Sequence, residues 1–101
     1  MSDSAETVRV ARELETLIPT FLANRRRELD ALRTALAAGD FAALRGIGHS
    51  MKGVGASYGF ERVSAYGAQI EEGARAADRI GLAARVEAYA EHLGRLRIVY
   101  E

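Results

Sequence analysis

Apolar residues recur at helical spacing along the whole chain, and no alternating stretch is long enough to predict a strand. Val8, Ala11, Leu14 and Ile18 share one stripe, which predicts a short first helix over residues 5–17. Pro19 suits the first turn of the next helix, where its missing N–H would have no partner anyway. Phe21, Leu22, Leu29, Leu32 and Leu36 carry that helix to about residue 38, with Gly39 as its C-terminal cap and Asp40 capping the following start. A third helix spans 41–58 and stops at Gly59. A fourth runs from 60 or 61 to 77 and buries Val63, Gly67, Ile70 and Ala74. Asp78 caps a fifth, in which Leu82, Val86, Tyr89, Leu93, Leu96 and Tyr100 follow the 4, 3, 4, 3, 4 spacing of a bundle seam.

Turns this short force neighbouring helices to run antiparallel. The predicted fold is all-α: an antiparallel up-down four-helix bundle over about residues 19–100, with a short extra N-terminal helix. A chain of 101 residues has room for one such domain, residues 1–101.

Composition supports helix and narrows function. Alanine occurs 19 times and proline once. The 14 basic and 14 acidic residues cancel, which argues against a general grip on nucleic acid or an anionic membrane. With no cysteine there is no disulfide, thiolate metal site or cysteine nucleophile. No apolar run is long enough to span a membrane, and the polar, acidic N-terminus is unlike a secretory signal; a cytoplasmic, monomeric protein is expected. An opening Met1 favours a free-standing protein over a module of a hybrid kinase. Thirteen of the basic residues are arginine, and Lys52 is the single lysine.

Lys52 sits one turn after His49, in the third helix. On a helical wheel, Leu44, Ile47, Met51, Val54 and Tyr58 fall within about 40° of the pole opposite His49. That pole faces the core, so His49 points outward. Lys52 at i+3 and Arg45 at i−4 share its face and would pair with an anion placed on the ring. Gly46 and Gly53 flank it, although an interior helical glycine costs roughly 0.5–1 kcal/mol against alanine; bare backbone there clears room for a bulky approaching group.

Several chemistries lack support. A metal site needs three or four converging ligands, and the other histidine, His92, reads as a boundary residue with no ligand-spaced companions. There is no serine elbow and no glycine-rich phosphate loop after a strand. Phosphoryl transfer fits better: imidazole is a competent nucleophile, a phosphoryl dianion wants nearby Lys or Arg, and in-line transfer needs an open approach.

His49-Ser50-Met51-Lys52-Gly53, followed by Gly59, resembles the His-x-x-Lys-Gly…Gly signature of histidine-containing phosphotransfer (HPt) domains. The similarity runs from about Ile18 to the C-terminus and includes the turn around Leu36-Ala37-Ala38-Gly39-Asp40-Phe41. Met51 and Tyr58 stand where leucine is usual, and Val54 and Gly55 where serine or alanine is frequent, with buried or small character retained. The resemblance implies a bundle that carries a phosphoryl group on His49, exchanging it with aspartates of response-regulator receiver domains or accepting it from a histidine kinase. Such domains do not hydrolyse ATP and need no cofactor; Mg²⁺ is expected in the partner receiver only. Lys52 would then neutralise the phosphate and Gly53 give access.

Counting along the turns places Gln69 to Glu71 level with His49, and either could hydrogen-bond the imidazole and fix its tautomer. The run Arg25-Arg26-Arg27 reads mainly as a solvated helix face, with Arg26 a candidate receiver contact. Ile18, Phe21, Leu22 and Ala56 are the apolar candidates for a docking surface. Competing functions are an HPt-like adaptor that docks without being phosphorylated, a nucleic-acid-binding helical domain and a metal-dependent hydrolase.

Overall fold

The computed structural model describes residues 5–101; the polar residues 1–4 lie outside the described residues. In chain order the elements are β1 (Glu6–Val10), a 3-10 helix (Arg12–Leu17), α1 (Ile18–Ala38), α2 (Phe41–Tyr58), α3 (Glu61–Arg75), α4 (Arg79–Arg95) and β2 (Leu96–Tyr100).

Capping explains the helix boundaries. Gly39 and Gly59 adopt φ of +66° and +79°, the left-handed conformation that closes α1 and α2 with little strain. The carboxylates of Asp40 and Asp78 accept from the N–H groups of Ala43 and Gly81, each at 3.0 Å, and start α2 and α4. α3 stops at Arg75, two residues before the expected 77, where Ala77 takes φ +53° and turns the chain without a glycine.

α1 packs on α2 and α4, and α3 packs on α2 and α4. Leu32, Leu44, Met51, Val63, Ile70, Leu82 and Tyr89 are fully buried between them. Along α2, residues 48 and 55 meet residues 67–71 and 60–64 of α3, so rising numbers on one helix meet falling numbers on the other. These approaches are backbone to backbone: a Cβ on Gly48 would lie 2.7 Å from the N of Glu71, and one on Gly55 2.6 Å from the N of Ser64. Glycine is therefore required at both positions, and the close crossing sets the backbone of Glu71 directly against the helix that bears His49.

Two expectations fail at the chain ends. The short N-terminal helix over residues 5–17 is replaced by β1 and the 3-10 helix, and the last helix ends at Arg95 instead of continuing to Tyr100. β1 and β2 pair in parallel, from Glu6 opposite Leu96 to Val10 opposite Tyr100. Val8 stands opposite Ile98 and Val10 opposite Tyr100, pairs of the β-branched and aromatic types that suit a pleated surface. A parallel pair needs a long crossover, and here the whole bundle serves as one.

His92 also departs from its expected boundary position. It is 1% exposed and donates from Nδ1 to a Glu6 carboxylate oxygen 2.6 Å away, tying α4 to β1. Arg62 of α3 holds the same carboxylate. Within the arginine run, Arg26 and Arg27 are exposed as a solvated face would be, but Arg25 is buried beside Glu28, with Nε 3.0 Å from Oε1 and the guanidinium over the Phe21 ring. Burial pushes the Glu28 carboxyl up, against the pull of Arg25.

Candidate functional site

α2 presents His49 on its outer face, with the side chain 70% exposed. α3 supplies the group beneath it: Glu71, whose side chain is 7% exposed. Glu71 Oε2 lies 3.1 Å from His49 Nδ1 and 3.3 Å from Arg75 Nη2, and Oε1 lies 3.0 Å from Lys52 Nζ. Its hydrogen bond from Lys52 holds the carboxyl below the usual carboxylate range; burial opposes this, and the His49 contact adds to it.

The tautomer follows from the donor count. An ionised carboxylate only accepts, so Nδ1 carries the proton. In the neutral ring the lone pair then sits on Nε2, the nitrogen left to solvent. Glu71 thereby orients the ring and specifies which nitrogen carries the free lone pair.

The glycines of α2 fall into two classes. Gly48 and Gly55 are packed against α3 backbone, whereas a Cβ on Gly46 or Gly53 would meet nothing within 4 Å. Helix packing gives no reason for glycine beside His49, so the open surface there remains available for an approaching group. Gly59 lies outside the site and ends the helix.

The other candidates are placed as follows. Arg45 is exposed and lines a shallow cleft of about 480 Å³ together with Ala42, Gly46, His49, Glu71 and Arg75. Gln69 does not reach the imidazole; it lines clefts with Arg85 on the α4 side of α3. Ile18 and Phe21 are buried core residues and offer no docking surface, because α1 turns its apolar stripe inward. Leu22 is half-buried, and Arg26 and Ala56 are exposed. Lys52 reaches Glu71, where the sequence reading had it facing a phosphate.

Arg75 was missed by the sequence reading. It follows Glu71 by four residues, the spacing of a helical ion pair, so the signal was available once Glu71 was a candidate. Among the described residues, no group of three or more His, Asp or Glu is placed to hold a metal ion, and no helix is long and apolar enough to cross a membrane.

Comparison with known proteins agrees with this geometry. The crystal structure of histidine-containing phosphotransfer protein B (HptB) from Pseudomonas aeruginosa PAO1 superposes with a TM-score of 0.74 at 32% identity, over 78% of this chain and 69% of that one. A search of curated proteins found no match. Residues 16–98 match the Hpt domain family, a span that takes in α1 to α4 and every residue around His49. An exposed histidine oriented by a buried glutamate on a four-helix scaffold, within that match, places the chain in the Hpt family of phosphotransfer carriers of two-component signalling.

Proposed function

We propose that this protein carries a phosphoryl group on Nε2 of His49, exchanging it with aspartates of response-regulator receiver domains. The observation that carries the proposal is the His49–Glu71 contact: Nδ1 is held by a buried carboxylate while the ring stays exposed.

The Nε2 lone pair attacks the phosphorus of a receiver aspartyl phosphate. The N–P bond forms as the P–O bond to the aspartate breaks, and the carboxylate leaves with the electron pair. The phosphorylated ring, still protonated at Nδ1, becomes cationic. Glu71 faces that charge as it develops, the electrostatic stabilisation that lowers a barrier. Donation is the reverse. The partner receiver supplies Mg²⁺ and the acceptor carboxylate; a histidine kinase is the alternative donor. Gly46 and Gly53 leave the in-line approach open, and Leu22, Arg26 and Ala56 are the docking candidates that remain on the surface. The helices act as an antiparallel up-down frame, and the protein works as a cytoplasmic monomer without ATP hydrolysis.

The test is incubation with a phosphorylated receiver domain. An acid-labile label is expected on the wild type and none on His49→Gln, with both proteins equally folded. Binding to the receiver without any label would instead favour an unphosphorylated adaptor.

A further inference from the structure

We infer that the phosphoryl group on His49 is received by the cleft between Arg45 and Arg75, on the Gly46 side of the ring, and that Lys52 acts through Glu71. The inference rests on the carrier reading above and specifies where the transferred group goes.

Lys52 is committed elsewhere. Its Nζ lies 3.0 Å from Glu71 Oε1, and Lys52 does not line the cleft beside His49. Arg45 does line it, and among the described residues it makes no ion pair. Arg75 lines the cleft with half its side chain exposed; its contacts are Glu71 Oε2 at 3.3 Å and the exposed Glu72 Oε1 at 4.0 Å, which leave most of the five guanidinium N–H donors uncommitted. The floor is small: Ala42 and Gly46, the latter with open space where a Cβ would stand.

Charge points the same way. A phosphoryl dianion beside the ionised Glu71 would be repelled unless that carboxylate were matched. Lys52 and Arg75 hold one oxygen each. Counting Arg45, three cations surround Glu71, and Glu72, 4.0 Å from Arg75, lies outside the cleft lining, so within the cleft two positive charges remain for a dianion. Guanidinium also matches phosphate oxygens with paired donors, which an ammonium cannot do. Lys52 is thus a positioning residue that fixes the carboxylate that fixes the ring, while Arg45 and Arg75 bind the phosphate.

The test labels the protein with phosphoramidate, a small donor that transfers its phosphoryl group to imidazole and releases ammonia, with no protein partner. The phosphohistidine is then titrated by ³¹P NMR. Nearby cations favour the dianion, so Arg45→Ala/Arg75→Ala should raise the midpoint by about one pH unit, the low end for charges this exposed. Arg45→Ala alone should raise it by a part of that. Lys52→Met should move it less than the arginine pair does and should slow labelling, with Lys52→Arg restoring the rate. Both arginines are exposed, and a circular dichroism melt checks the fold. A midpoint unmoved by losing the arginines but raised in Lys52→Met overturns this inference and leaves the carrier reading standing. A folded wild type that takes no label from phosphoramidate or receiver overturns both.

Discussion

The molecule contains two histidine–glutamate pairs with opposite burial. At one, a buried Glu71 holds the Nδ1 of an exposed His49. At the other, a partly exposed Glu6 holds the Nδ1 of a buried His92, whose Nε2 is enclosed and has no partner among the described residues. The atoms in contact are the same, so the contact does not decide what each imidazole does. Burial decides it. At His49 the carboxylate is fixed and the second nitrogen is free to react. At His92 the ring is fixed, tilted against the Tyr66 ring, and serves to hold β1 against α4.

The largest expected effects separate the two pairs by what is lost. His92→Ala removes a fully buried ring and the β1 tether, and should destabilise by about 3 kcal/mol. For a domain of this size that lowers Tm by more than about 10 °C. His49→Ala should shift stability by no more than about 0.5 kcal/mol while removing all phosphorylation. Equal thermal shifts for the two variants would break the comparison.

A smaller effect tests the close helix crossing that places Glu71. Gly48→Ala drives a Cβ into the backbone of Glu71 and Gly67. It should cost about 1–3 kcal/mol and slow transfer by moving the carboxylate off Nδ1. Gly46→Ala meets open space and should instead stabilise by roughly 0.5–1 kcal/mol. Urea denaturation of both variants reads the sign, which must differ between them.

The smallest effect is on acid stability. Both carboxyls are held below their ordinary range: Glu71 first by Lys52, and Glu6, against the opposing push of burial, by His92 and Arg62. A carboxyl with a lowered folded pKa contributes stability that is present above its unfolded value, about 4.3, and lost as pH falls through the folded value. Glu71→Gln and Glu6→Gln should each flatten the fall in Tm below about pH 4. An unchanged acid slope would deny those carboxylates their native contacts.

Local signals made most of the fold legible. The 3.6-residue stripes with Gly39, Asp40, Gly59 and Asp78 located α1 to α3 and the start of α4. The wheel placed His49 outward and Leu44 and Met51 inward, and both placements hold. What escaped was non-local or ambiguous. Leu96 and Tyr100 satisfy a helical seam after Leu93, yet Leu96, Ile98 and Tyr100 equally satisfy a period of two. Only pairing with β1, some ninety residues away in sequence, selects the strand. The buried role of His92 depends on the same pairing, because its partner Glu6 lies on β1. Arg25 could have been read correctly: Phe21, Arg25, Glu28 and Leu32 share one helical stripe, so the charged pair falls on the core face.

The measurement closest to the central claim is assignment of the phosphoryl group to an atom. After transfer from a receiver domain, the label is mapped to a residue by peptide mass and to a ring nitrogen by ³¹P and ¹⁵N NMR. The predicted result is a single phosphoryl group on Nε2 of His49 and none on His92. A label on Nδ1, on another residue, or no label on the folded protein would contradict the account.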